Sequence, residues 1–202
     1  MCLTERQARF HRPRAEHGIS LIELIVFIVI VSTAVAAVLG ALSMATRASA
    51  DPLIQKQALA IAEALLEEVE LMPFTYCDPD DPNAATALNA AACTAGGAEV
   101  IGAEPLAPYG PETRFSGTTP FDNVNDYHTY SMIGITDITG AAIAGLANYT
   151  AGVTIANQAL GAITAASGEA LLITVTVSGP AGSNTTVVLD GYRVRYAPNA
   201  LP

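Results

Sequence analysis

The chain has 202 residues, 51% of them hydrophobic and 14% charged, with a formal net charge of −10. That length suits one domain plus a membrane helix and argues against a second full domain. Past residue 18, five basic side chains stand against seventeen acidic ones, which argues against a nucleic-acid surface, because binding phosphates needs clustered Lys and Arg.

Residues 1–18 are polar, carry Arg6, Arg9, Arg12 and Arg14, and show no hydrophobic period; they read as a leader outside the fold. From Gly18 to Leu42 the chain runs GISLIELIVFIVIVSTAVAAVLGAL, with one acid and with no Lys or Arg between Arg14 and Arg47. At about 1.5 Å per residue, roughly 20 apolar residues cross a bilayer core, so residues 19–44 are predicted to be a transmembrane helix. Bases before the helix place the N-terminus in the cytoplasm and the later residues beyond the inner membrane. Ser32, Thr33 and Gly40 soften the helix, and Ala36, Ala37, Gly40 and Ala41 give it a small-residue face for close helix approach. The oddity is Glu23, because a carboxylate in such a helix costs about 2.5 kcal/mol or more and calls for a partner. It is the fifth residue after Gly18, so the new ammonium of a neighbouring copy cut after that glycine is a natural counter-ion.

Asp51-Pro52 predicts a kink, or a short break with a new capped start. Beyond it Ile54, Ala58, Ile61, Leu65, Val69 and Met72 recur at helical spacing, with Lys56, Glu63, Glu67 and Glu70 largely between them. That is an amphipathic helix over residues 52–72, with one face for a sheet, ended by Pro73. Residues 73–126 read as irregular, with an Ala-rich piece able to form a short helix. Cys2 belongs to the leader; Cys77 and Cys93 remain as a pair, which in an oxidising periplasm reads as a disulfide contributing about 3 kcal/mol. Alternation at Tyr127, Thr129, Ser131, Ile133 and Ile135 marks a strand, and further strands are predicted at Tyr149–Ala156, Ala170–Ser178 and Thr185–Tyr196. The expected architecture is α+β: one long N-terminal helix on an antiparallel sheet of about four strands, the head occupying residues 73–202.

Gly18, Ile19 and Glu23, followed at once by the apolar helix, resemble the class III signal motif of type IV pilins and pseudopilins. An ordinary secretory signal is cut after its apolar stretch rather than before it. The resemblance implies cleavage after Gly18 by a membrane-embedded prepilin peptidase, N-methylation of Ile19, and a role for Glu23 in assembly. Its implied partners are other pilins through the N-terminal helix, the peptidase, an inner-membrane assembly platform, and lipid before assembly. Residues 49–69 (SADPLIQKQALAIAEALLEEV), 72–82 (MPFTYCDPDDP) and 121–128 (FDNVNDYH) are similar to minor pilins of the mannose-sensitive haemagglutinin pilus. That implies a low-abundance structural subunit acting in pilus assembly. The rival expectations are a minor pseudopilin of a type II secretion system and a binding module at a filament tip.

Enzymatic chemistry finds little support in the sequence. His128, the one histidine after the leader, has Asp126 and Ser131 nearby but no nucleophile elbow or ordered triad, and no phosphate-binding glycine loop ending in Lys-Ser/Thr occurs. Two acidic clusters, Asp78 with Asp80 and Asp81, and Asp122 with Asn123, Asn125 and Asp126, lack EF-hand spacing and read as solvated turns, with a calcium-binding loop, which the resemblance to pseudopilins admits, as the lesser alternative. No metal or cofactor is expected from them.

Overall fold

The computed structural model describes residue 18 and residues 20–200, without the side chains of residues 46–51. Residues 1–17 with Cys2 and the methylation position Ile19 therefore lie outside the described residues, as does the side chain of Asp51. The chain divides into two compact units, Met1–Arg47 and Ala48–Pro202.

In the first unit, helix α1 (Leu21–Leu71) opens with the Leu24 amide donating to the Ser20 carbonyl at 3.1 Å. Leu21–Ala45 is long and apolar enough to cross a membrane, and none of it is buried. Thr33, expected to soften the helix, turns its hydroxyl back onto the carbonyls of Val29 and Ile30, at 3.1 and 2.9 Å. Such a bond leaves no hydroxyl donor unsatisfied, as a helix able to cross a membrane would require. Of the two expectations at Pro52, the break with a new start is not observed, since α1 is continuous through it. Proline forfeits one backbone bond, and the helix runs on past it.

In the second unit, the helical part of α1 buries Ala58, Ile61, Ala62, Leu65 and Val69, the face expected from the spacing. After Pro73 the Arg193 guanidinium donates to the Met72 carbonyl at 3.2 Å, supplying the helix end with the cation its last turn lacks. The sheet consists of β1 (Ser131–Ile133), β2 (Thr150–Asn157), β3 (Ala170–Ser178) and β4 (Thr186–Val194), antiparallel in that order. Its register pairs Val153 with Val175 and Val175 with Leu189, so the apolar residues of successive strands share one face. Ala151, Val153 and Ile155 from β2 and Ile173, Val175 and Val177 from β3 are buried together with the helix residues. Opposite them Thr154, Thr174 and Thr176 face outward or lie half-buried. A Cβ at Gly191 of β4 would meet the side-chain ends of Leu66 and Glu70 of α1, which would have to shift to make room for it.

β2, β3 and β4 match the expected strands to within two residues at each end. The first strand is shorter than its alternation suggests: residues 124–127 form a 3-10 turn that buries Val124 and Tyr127, and Thr129 adopts a positive φ of 65°. The Ala-rich piece forms a 3-10 turn at Ala90–Ala92.

Candidate metal centre

The residues predicted from sequence fall into two groups. Gly18 and Glu23 are exposed, Glu23 in the first turn of α1, and no ion pair reaches it among the described residues. Cys77 and Cys93 form the expected disulfide, with Cα atoms 5.5 Å apart. Two backbone bonds then clasp the Cys77 segment against residues 97–99: Asp78 N–H to the Gly97 carbonyl and Glu99 N–H to the Tyr76 carbonyl, each 3.0 Å. His128 is half-buried, and its Nδ1 accepts the Ile155 amide at 3.1 Å, tying the turn to β2.

The acidic clusters depart from expectation. Asp78, Asp81, Asn123, Asn125 and Asp126 are buried rather than solvated, Asp122 is half-buried, and Asp80 is exposed as expected. Three glutamates to which the sequence pattern gave no role, Glu99, Glu104 and Glu112, join them. The clasp sets Glu99 beside Asp78; a second pair of bonds, Glu112 N–H to the Glu104 carbonyl at 3.0 Å and Glu104 N–H to Glu112 Oε2 at 2.9 Å, sets those two glutamates together. Gly110 lies so close to the Glu104 backbone that a Cβ there would overlap it. Asp126 enters from the 3-10 turn, its Oδ2 accepting the amides of Asp122 and Asn123 at 3.0 and 2.7 Å. Isolated acids inside the apolar, proline-rich run EVIGAEPLAPYGPE were the available signal, because charge seldom enters such a run without a task.

Three overlapping carboxylate trios result: Asp78, Glu99 and Glu104; Asp78, Asp80 and Asp122; Glu104, Glu112 and Asp126. In each, one oxygen per residue lies within 4.8 Å of the others. No Lys, Arg or His forms an ion pair with any of them among the described residues. Burial, reinforced by neighbouring carboxylates, pushes the acids upward: Asp78 to about 6 and Asp122 to about 7. Glu99, Glu112 and Asp126 are raised as well, first by burial and then by their acidic neighbours. Asp81 behaves oppositely. Burial would raise it, but bonds from Thr94, Asn83 and Tyr109 outweigh that and hold it below the usual carboxylate range.

Protein donors satisfy one oxygen of most of these acids and leave others bare. Glu99 Oε1, both oxygens of Glu104, Asp122 Oδ1, Asn123 Oδ1, Asn125 Oδ1 and Asp126 Oδ1 are buried without a hydrogen-bond partner. One oxygen of Glu104 and one of Glu112 lie within 4.8 Å of each other, an approach of two buried carboxylates that a proton or a cation between them would relieve. Chemically the arrangement is a buried, all-oxygen cluster of acids and amides, a ligand set suited to a hard cation. No family model matches this chain, and no match is found among curated proteins or solved structures.

Proposed function

We propose that this protein is a minor pilin-like structural subunit of a type IV pilus, of the mannose-sensitive haemagglutinin type. In this reading it is processed by prepilin peptidase, held in the inner membrane by α1 with its head in the periplasm, and then drawn into the filament. The observation that carries the reading is the placement of Glu23. It is the sole acid in the span Leu21–Ala45, set in the first turn of the helix just past Gly18. A helix whose apolar half suits a membrane or a filament core, and whose other half is the backing of a sheet, supports the same reading. So does the Cys77–Cys93 disulfide, which belongs to an oxidising compartment. The role is assembly rather than catalysis.

The test is the mature N-terminus, determined by intact mass and terminal peptide sequencing in cells with and without prepilin peptidase. A methylated Ile19 that depends on the peptidase is the expected result. An uncut chain in peptidase-positive cells would leave a membrane-anchored head and sink the subunit reading.

A further inference from the structure

The bare oxygens of the acidic cluster are the strongest unexplained feature of the head. Every buried side-chain oxygen without a partner among the described residues belongs to residues 99–126. Two of them, on Asn123 and Asn125, are amide oxygens, so the pattern is one of acceptors lacking donors rather than of acidity alone. Glu104, only 7% exposed, has both carboxylate oxygens buried and bare, and it belongs to two of the three trios. Water could donate to some of these atoms. It would not offset several carboxylates within 4.8 Å of one another, whose mutual repulsion in a low-dielectric site needs a positive charge or protons.

We propose that the head binds a calcium ion, with Glu104 as its central ligand and Glu112 and Asp126 beside it. This trio is the one in which all three residues are buried. Backbone amides hold Glu112 Oε2 and Asp126 Oδ2 in place, leaving Asp126 Oδ1 bare, so ligands are positioned before the ion arrives. Calcium takes about six to eight oxygens at roughly 2.3–2.6 Å, so oxygens that share one such ion stand no farther apart than about twice that, and the trio's oxygens, all within 4.8 Å of one another, meet this condition. Magnesium requires a smaller, near-octahedral shell and gives up its waters reluctantly. A thiol- or imidazole-seeking metal finds no ligand here, because the cysteines are paired and His128 Nδ1 is engaged by β2. The inference rests on the head alone and holds whether or not the chain enters a filament.

The full-length chain, purified in detergent and stripped with chelator, is titrated with calcium while its melting temperature is followed. Terbium luminescence excited through tyrosine supplies a second readout, since Tyr127 follows Asp126 directly. Calcium is expected to raise the melting temperature saturably by several degrees and to displace terbium, with magnesium at the same concentration doing less. Glu104→Gln keeps the size of the side chain and removes its charge; it should weaken both effects at least tenfold, while Asp190→Asn, on the exposed face of β4, leaves them unchanged. An unchanged melting temperature together with no displaceable terbium emission overturns the site. An equal shift with magnesium overturns the choice of calcium, and full retention of both effects in Glu104→Gln overturns Glu104 as ligand. Should that variant not fold, Asp126→Asn serves in its place, and the wild-type titration decides whether there is a site at all.

Discussion

Glu23 concentrates the functional argument at the scale of one residue. Its carboxylate lies in an exposed apolar helix with no ion-pair partner among the described residues, and leaving it unpaired in hydrocarbon costs about 2.5 kcal/mol or more. In the subunit reading that cost selects the register of incoming copies, because only a neighbour whose Ile19 amine reaches Glu23 neutralises it. Glu23→Ala removes the cost together with the register. The variant should be cut by the peptidase at a normal rate and be absent from sheared filaments, as read by immunoblot of membrane and filament fractions. Incorporation at the wild-type level would separate Glu23 from assembly.

At the scale of elements, α1 and the loops are joined by a buried ion pair. Arg114 Nε and Nη2 reach the two oxygens of Glu68 at 2.7 and 2.6 Å, and the Tyr127 hydroxyl donates to Glu68 Oε1 at 2.8 Å. Arg114 is 8% exposed, so Glu68→Ala strands its charge in the head; removing one partner of such a pair costs about 3–5 kcal/mol. Thermal melts of the full-length chain should show the loss, and Glu68→Ala combined with Arg114→Met should recover much of it. Equal melting temperatures for the single variant and wild type would show the pair to be dispensable. Nothing in the sequence pointed to this pair: Glu68 stands among the acids of an amphipathic helix and Arg114 in an irregular loop, and only the tertiary fold joins them. The helix face, β3 and β4 were legible because period 3.6 and period 2 are local patterns reinforced by burial on one side. The alternation from Tyr127 misled at its start, where the turn chemistry of Asn123 and Asp126 wins over strand propensity. Likewise Asp78 and Asp126 look like surface turn formers, and the acids they meet in the fold, Glu99, Glu104 and Glu112, lie in a separate stretch of the chain.

For the whole molecule, the buried acids fix how stability responds to pH when no divalent cation is supplied. In the unfolded chain carboxylates titrate near about 4. In the folded head Asp78 is raised to about 6 and Asp122 to about 7, with Glu99, Glu112 and Asp126 also raised. Between the unfolded and folded values the native state binds more protons, so stability falls as pH climbs. The contribution is fully present below about 4 and lost as pH passes 6 and 7 for Asp78 and Asp122. Asp81 and Asp137 are lowered instead; their contribution is lost only as pH falls below the ordinary carboxylate range, and it leaves the neutral window untouched. A tenfold change in a carboxyl's proton affinity on folding corresponds to about 1.4 kcal/mol, and for a chain of this size 1 kcal/mol moves the melting temperature by about 2–4 °C. With chelator present, the melting temperature of the full-length protein should therefore drop by several degrees between pH 5 and pH 8. A flat or rising curve over that interval would mean that the buried carboxylates are charged at little cost without a cation. A falling curve in chelator that calcium flattens would identify the ion as what permits so acidic a head to stay folded at neutral pH.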